Sequence, residues 1–349
     1  MAISKKKYGE LNGRDVFEYT LDNKTGVRAV ILNFGGVIKN IFIKDKDGNE
    51  RDVILGHDNM EQYKTNNGYM GALIGRHANR LHRGEFEING NKYNAGINDG
   101  KNSLHGGIVG FDKKIWDAVE KEDADGCSLI LTTVSPDGEE GFPGNATVCV
   151  TYTLTKSNEL KINYRAVSDK DTVFNMTNHA YFNLNGHASG DICDHVLQLN
   201  SNFYTPNTDE CMPNGEILSV MGTPFDFRIP KPVGSDINAD FEQIEMFNGY
   251  DHNFALAGSG MRTAAVLSSE KSGITLKVTT DKPGIQIYTG NSINEDLTYK
   301  DGVKYKVHQA ICLETQYFPN SMTCSHFPSP VLRANEVYDF TTVFAFSVK

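Results

Sequence analysis

The chain has 349 residues and a formal net charge of −10 at pH 7. Nucleic acids and anionic membrane surfaces select for clustered Lys and Arg, so this charge argues against both as main partners. The basic run Lys5-Lys6-Lys7 is too short to alter that conclusion, and a neutral small-molecule ligand fits the charge better. A chain of this length can bury a large core, and its 33 glycines against 11 prolines suit many tight turns.

The cysteines and the N-terminus indicate the compartment. The six cysteines lie far apart and include no Cys-x-x-Cys pair, which is typical of reduced thiols rather than of a disulfide framework or a zinc site. Residues 1–8 contain no apolar stretch, so no secretory signal is predicted. No run approaches the roughly 18 apolar residues of a membrane helix. We therefore predict a cytoplasmic protein.

In chain order, most recognisable elements alternate apolar and polar residues with a period of two, as half-buried strands do. The Asp47-Gly48 and Asn89-Gly90 pairs predict type I′ hairpin turns, the first before a strand over Asp52–Leu55 and the second between Glu85–Ile88 and Lys92–Tyr93. The other predicted strands are Arg28–Leu32, Ile38–Lys44, Ser128–Val134, Ala146–Leu154, Leu160–Val167, Ile274–Thr280, Ile285–Thr289 and Tyr338–Val348.

Helical segments are few in this pattern. Short helices are predicted near Asn59–Lys64 and Ile237–Glu245, and Gly186–Ile229 is expected to form long loops over a site. With no internal repeat and no Pro- or Ser-rich linker, the sequence predicts a single domain over residues 1–349. The expected fold class is all-β, a large sandwich rather than βαβ units.

Several segments combine dense polar groups with aromatic residues. A hexose offers hydroxyls that donate and accept hydrogen bonds, and C–H faces that pack on aromatic rings, so this inventory favours a sugar site. The sequence contains no phosphate-binding loop and no zinc spacing, and no cofactor is predicted. The segments are 75–80, 102–107, 175–184, 248–254 and 313–319.

Taken in order, these segments resemble those of the aldose 1-epimerase (galactose mutarotase) family. The resemblance extends from about Asn33 to the C-terminus. Each motif is weak alone, but eight in the same order are hard to produce by chance. The matching stretches are 75–80, 84–116, 135–144, 178–184, 223–228, 249–254, 284–290 and 314–319 with 327–330 behind it.

The resemblance implies a large antiparallel β-sandwich, the galactose mutarotase-like supersandwich, and a mutarotase that interconverts the α and β anomers of free hexoses such as galactose and glucose. By match to the family motifs, Glu314 is the general base and His179 the general acid. The residues implied to hold the sugar are Asn79, Arg80, His105 and Asp251, with Tyr181 and Gln286 as further binding positions.

These roles are chemically reasonable. Opening a hemiacetal requires a base to remove the proton of the C1 hydroxyl while an acid protonates the ring oxygen. With ordinary pKa values of about 4.3 for Glu and 6.5 for His, the carboxylate is the natural base and the imidazole can supply the proton. Neither a metal nor a nucleotide is needed.

Three alternatives remain open at this point. A hexose-6-phosphate mutarotase on the same fold would need extra cations beside the cleft, where the sequence offers Arg76, Arg80 and Arg83. A non-catalytic sugar-binding protein would not need both Glu314 and His179. A glycoside hydrolase would need a second carboxylate, for which Asp251 is the candidate. The sequence leaves the preferred sugar undecided and allows a monomer or a homodimer.

Overall fold

The computed structural model describes residues 2–66, 68–122, 124 and 126–349. Its N-terminal strands are β1 Ala2–Leu11, β2 Arg14–Asp22, β3 Val27–Leu32, β4 Ile38–Lys44, β5 Glu50–Asp52, β6 Leu73–Ile74, β7 Arg80–Leu81, β8 Glu85–Ile88, β9 Asn91–Asn94, β10 Ser103–Leu104, β11 Asp117–Glu122, β12 Gly126–Ser135, β13 Ala146–Thr155 and β14 Glu159–Ser168.

The C-terminal strands follow as β15 Thr172–Val173, β16 Thr177–Asn178, β17 Tyr181–Phe182, β18 Val196–Leu199, β19 Ser201–Thr205, β20 Leu218–Ser219, β21 Lys231–Pro232, β22 Asp251–Leu256, β23 Arg262–Ser268, β24 Ile274–Thr280, β25 Gly284–Tyr288, β26 Ile311–Gln316, β27 Val331–Leu332 and β28 Val337–Val348. The helices are α1 Met60–Thr65 and α2 Glu242–Glu245, with 3-10 turns at His82–Gly84, Phe111–Lys113, Glu139–Gly141, Val233–Ser235 and Lys300–Gly302.

Within the described residues, three large sheets make up most of the fold, and their ladders are antiparallel. An N-terminal sheet runs β1-β2-β3-β4-β5. A long sheet runs β11-β12-β13-β14-β28-β24-β23-β18-β21, and a third runs β17-β26-β25-β22-β19-β20. The predicted all-β sandwich is confirmed.

One hydrophobic cluster contains residues from all three large sheets, including Leu21, Val150, Phe344, Ile285 and Leu313. The alternation on β28 explains how this cluster forms, because Tyr338, Phe344 and Phe346 point into it while Asp339 and Ser347 are exposed. The sheets therefore share one core.

The turn predictions have different outcomes. Asn89 and Gly90 both have positive φ and join β8 to β9, as a type I′ turn requires. Asp47-Gly48 does lie in a hairpin between β4 and β5, but the predicted type I′ turn is wrong: Gly48 has positive φ and Asp47 does not, and the Asp45 carboxylate accepts the amides of Asp47 and Asn49 in a longer loop. β4 pairs with Glu50–Asp52, two residues earlier than the predicted strand Asp52–Leu55, because Ile54 leaves β4 and forms an antiparallel bridge with Phe182 of β17.

The helix and loop predictions also need correction in detail. Helix α1 begins one residue after its N-cap, Asn59, whose side chain forms a capping box with Gln62. Helix α2 covers only Glu242–Glu245 of the predicted Ile237–Glu245, and no side chain caps its N-terminus at Phe241. The segment predicted as long loops, Gly186–Ile229, contains three short strands, β18 to β20.

Candidate active site

A cavity of about 570 Å³ opens where β7, β10, β22 and β26 end or pass. Apart from Gln286, all of the site residues predicted from the sequence line it: Asn79, Arg80, His105, His179, Tyr181, Asp251 and Glu314. Residues 79, 179, 251 and 314 are far apart in sequence, and the fold brings them together.

Glu314 is held on β26, a strand inside the third sheet with β17 on one side and β25 on the other. All six residues of β26 are buried, and alternation puts Cys312, Glu314 and Gln316 on one face. Glu314 is only 2% exposed, and its Oε2 has no hydrogen-bond partner within the described protein residues. A carboxyl group in such a place is available to a ligand in the cavity.

His179 lies in the link between β16 and β17. Its backbone is fixed on both sides, because its amide donates to Ala72 and its carbonyl accepts from Gly71, both at 2.9 Å. Its Nε2 lies 3.6 Å from Oε1 of Glu314. The two side chains that the sequence assigns as acid and base therefore face each other across the cavity floor.

Burial changes the proton affinity of both groups. It raises the pKa of Glu314 well above its usual value, with the nearby Asp251 adding to the rise and Arg80 opposing it. It lowers the pKa of His179 to about 4, against an opposing contribution from that residue's own backbone. At a pH between the lowered pKa of His179 and the raised pKa of Glu314, the pair holds one titratable proton and has no net charge. It can therefore give one proton to a ligand and accept one from it.

The short β7–β10 ladder, in which Arg80 pairs with Leu104, positions Asn79, Arg80 and His105. Asn79 and His105 both adopt positive φ, and each donates its backbone N–H to the other, with His105 N to Asn79 O and Asn79 N to His105 Nδ1 at 3.1 Å. The Arg80 guanidinium donates from Nε to Asp99 at 2.7 Å. This ladder presents one imidazole and one fixed cation to the cavity.

The hydrogen bond to His105 assigns its tautomer. Since Nδ1 accepts the Asn79 amide, the ring proton must lie on Nε2, and burial, then His179 and Arg80, lower the pKa of His105 well below its usual value. Donor atoms of His105, His179 and Glu314 lie within 4.8 Å of one another, close enough to reach one metal ion. A protonated Nε2 opposes metal ligation, because a ligating histidine carries its proton on the other nitrogen. The His105 N–H suits a sugar oxygen.

Asp251 begins β22 and projects into the cavity, with each carboxylate oxygen already held by one donor. The Gln286 amide donates to Oδ1 at 2.7 Å, and the Cys211 thiol contacts Oδ2 at 3.3 Å. Gln286 lies directly opposite Glu314 on β25 and is 3% exposed. The structure therefore places Gln286 behind Asp251, where it orients that carboxylate instead of lining the cavity.

Aromatic rings flank the His179 imidazole. Tyr181 stacks on it with ring centroids 5.0 Å apart, and Tyr69 lies parallel to it at 6.2 Å. The Tyr181 hydroxyl donates to the Gly68 carbonyl, so this ring packs against the imidazole while its polar end is satisfied. Tyr69 also meets the edge of His105 at 4.7 Å. These contacts hold the imidazole plane in one orientation.

Comparison with known proteins identifies the family of the chain. A sequence profile of the family described as Aldose 1-epimerase matches residues 18–345. The chain belongs to the aldose 1-epimerase family. It is 41% identical to the galactose mutarotase of Bos taurus over 350 residues, covering 100% of this chain and 99% of that protein. It is 36% identical to the aldose 1-epimerase of Escherichia coli (strain K12), covering 94% of each.

Solved structures of aldose 1-epimerases share the fold. The galactose 1-epimerase of Lactobacillus acidophilus NCFM superimposes with a TM-score of 0.88 at 31% identity, covering 99% of both chains. The resemblance inferred from the sequence motifs is thus confirmed, and the protein is a carbohydrate epimerase of the isomerase class. Within the described residues, no helix has the length and apolarity needed to cross a membrane.

Sequence reasoning missed four residues of this epimerase site. Asp99 pairs with Arg80, Cys211 contacts Asp251, Cys312 contacts His179, and Tyr69 covers the imidazole. Only Cys312 carried a signal in the sequence, since it lies two residues before Glu314 and strand alternation puts both on one face. The other contacts depend on loops whose path the sequence pattern does not predict.

Proposed function

We propose that this epimerase interconverts the α and β anomers of free aldohexoses such as galactose and glucose, with Glu314 and His179 exchanging protons with the sugar. The observation that carries the proposal is the approach of His179 Nε2 to Glu314 Oε1, 3.6 Å apart at the base of the cavity. The anomeric hydroxyl and the ring oxygen are bonded to the same carbon, so two such groups can reach both oxygens of one pyranose.

The reaction needs no proton from the solvent. Glu314 takes the proton of the C1 hydroxyl, the O–H electron pair forms the C1 carbonyl, and the bond from C1 to the ring oxygen breaks. His179 delivers its proton to that oxygen. After rotation about the C1–C2 bond the hydroxyl adds to the other face of the aldehyde, and both groups reverse their roles.

Glu314 can act as the base only when the single proton of the pair lies on His179. Burial favours the opposite distribution, with both side chains neutral. Both distributions contain the same number of protons, so the exchange between them takes none from water. The Arg80 cation, which lowers the pKa of Glu314, favours the carboxylate form. We assign Arg80, together with Asn79, His105 and Asp251, to the sugar hydroxyls, with Tyr181 as a wall.

A phosphosugar substrate is less well supported. Arg80 is the single Lys or Arg side chain among the described residues that line the cavity, and its Nε is already paired with Asp99. Arg76 is buried away from the cavity among carbonyls, and Arg83 is exposed. A dianionic phosphate would find no second cation here.

A glycoside hydrolase and a non-catalytic binder are also less well supported. Both oxygens of Asp251, the second carboxylate that a hydrolase would use, are engaged by Gln286 and Cys211. A binder would have no use for the buried acid–base pair.

We further propose a single-domain protein of the cytoplasm, acting as a monomer or homodimer. All six cysteines are free, as a reducing compartment favours. The largest hydrophobic cluster contains residues from all three large sheets, which supports one domain.

Polarimetry of freshly dissolved α-D-galactose and α-D-glucose tests the proposal. Glu314→Gln and His179→Ala should each lower the enzymatic rate by roughly 10²- to 10⁴-fold, the usual contribution of an acid–base group. Exposed residues supply matched controls in Glu216→Gln and His326→Ala, which should retain full activity. Wild-type activity in either site variant, or faster turnover of glucose 6-phosphate than of glucose, would overturn the assignment.

A further inference from the structure

The imidazole of His179 is held at both nitrogens by a single strand. On β26, Glu314 approaches Nε2 at 3.6 Å and Cys312 approaches Nδ1 through its Sγ at 3.5 Å. The two residues are two positions apart, so strand alternation turns both toward the ring. The stacked rings of Tyr181 and Tyr69 hold the imidazole plane, and the nitrogens are not free to exchange places.

The environment of Cys312 leaves its sulfur one polar contact. The side chain is 0% exposed and belongs to an apolar cluster with Leu55, Tyr181 and Ala310. Within the described residues, the only hydrogen bond recorded for its Sγ is the one to His179. Burial, followed by the nearby Glu314 and Asp251, raises the pKa of this thiol well above its usual value. The sulfur is thus a neutral thiol that can accept an N–H.

The chemistry at Nε2 imposes a condition on Nδ1. A histidine that gives its Nε2 proton to the ring oxygen becomes neutral, and the neutral ring must keep its remaining proton on Nδ1. If Nδ1 lacked an acceptor, the proton could instead reside on Nε2, which would leave no lone pair to take the proton back during ring closure.

We infer that Cys312 is a positioning residue for this reaction, because its sulfur accepts the Nδ1–H of His179 and keeps Nε2 as the nitrogen that exchanges protons with the sugar. The inference rests on the proposed role of His179. Among the described residues, the titratable groups around the ring are Glu314, Cys312, His105, Tyr69, Tyr181 and Tyr288. Of these, Cys312 is the one hydrogen-bonded to Nδ1.

Substitution of Cys312 tests the inference by steady-state polarimetry. Cys312→Ala removes the acceptor and should lower kcat by about 3- to 10-fold, the scale of one hydrogen bond, while KM stays within about twofold. Cys312→Ser keeps an acceptor at this position and should restore kcat. Cys127→Ala provides the matched control, since Cys127 is equally buried but lies on β12, away from the cavity.

A second pair of measurements separates positioning from packing. The hydrogen bond to Nδ1 also stabilises the imidazolium, so its loss should move the acid limb of the kcat profile to lower pH in Cys312→Ala and not in Cys312→Ser. Nitrogen-15 spectra of histidine-labelled protein should show His179 protonated at Nδ1 in the wild type and a mixture of tautomers in Cys312→Ala.

The outcomes are distinguishable from failure of the proposed function. Full activity in Cys312→Ala, or a wild-type His179 protonated at Nε2 alone, would overturn the role of Cys312 while leaving that of His179 intact. An equal loss in Cys127→Ala, or failure of Cys312→Ser to recover activity, would count against positioning. Full activity in His179→Ala would instead remove the basis of both proposals.

Discussion

The burial of Glu314 in the active site lowers the stability of the folded protein at neutral pH. Its pKa is raised in the folded protein by burial, then by Asp251, so the folded state holds a proton that the unfolded chain releases near pH 4.5. Stability from this group is fully present below the unfolded pKa and is lost as the pH rises toward the folded value. A site built for catalysis therefore weakens the fold at neutral pH.

Glu314→Gln should accordingly unfold at a higher urea concentration than the wild type at pH 7.5, even though its catalytic rate is expected to fall. The gain is about 1.4 kcal/mol for each unit by which the folded pKa exceeds the unfolded one, and it should largely vanish at pH 4.5. Urea titrations at both pH values measure it. An equal difference at the two pH values would show that protonation is not the cause.

For individual residues, the family resemblance identified Glu314 and His179 but did not predict how the protein environment shifts their pKa values. Ordinary pKa values suggested a carboxylate base and a protonated imidazole, whereas burial moves both groups in the opposite direction. The contact of Asp99 with Arg80 was hidden for the same reason. Desolvation and neighbouring charges depend on tertiary contacts that a one-dimensional pattern does not contain.

At the level of elements, the side chains of segment 75–80 lie in two different environments. Asn79 and Arg80 serve the cavity, whereas Arg76 turns away and is 2% exposed. Its guanidinium donates to the connection between β12 and β13, at Ser135 Oγ and at the carbonyls of Ser135, Pro136, Pro143 and Gly144, and also to the Thr172 hydroxyl. One buried cation thus fixes a whole loop.

Arg76→Met should lower the free energy of unfolding by about 3–5 kcal/mol, since it leaves several buried acceptors without a donor. Activity per folded molecule should change little, because Arg76 does not line the cavity. Urea unfolding and polarimetry on the same sample separate the two effects. Arg83→Met, at an exposed position, is the control, and a wild-type midpoint in Arg76→Met would contradict this role.

The strands themselves were well predicted where one face is buried. Ile38–Lys44 and Ile274–Thr280 match β4 and β24 in full, because alternation with a period of two directly reflects a one-sided environment. The strand expected at Asp52–Leu55 was misplaced because Ile54 and Leu55 pair with β17 and not with β4. A partner that is distant in sequence cannot be read from the local pattern.

Across the whole molecule, Lys282 lies where the long sheet meets the sheet that carries Glu314. It is 0% exposed, and its Nζ lies over the rings of Phe340 at 4.0 Å, Tyr338 at 4.4 Å and Tyr317 at 5.0 Å. Burial lowers its pKa well below the usual value, against the influence of Asp281. The Lys282 amine therefore binds a proton more readily in the unfolded chain than in the folded protein.

Lys282→Met should stabilise the protein at pH 7 by about 1 kcal/mol or more, since the cost of burying an amine exceeds the contribution of its hydrogen bond to the Tyr338 hydroxyl, which the variant also loses. Because the unfolded state binds more protons between the folded pKa and about 10.5, wild-type stability rises with pH in that window, and the advantage of the variant should shrink by pH 9.5. Urea unfolding at both pH values checks this. Lys277→Met, exposed on β24, should show no such trend.

The position of β26 inside its sheet has a consequence for how turnover proceeds. Hydrogen-bonded neighbours on either side, with tyrosines above the imidazole, leave the proton donor and acceptor almost immobile. Anomer exchange nevertheless demands that a carbonyl turn over to expose its opposite face. The part that moves during turnover must then be the opened sugar chain, which rotates while the protein side chains stay in place.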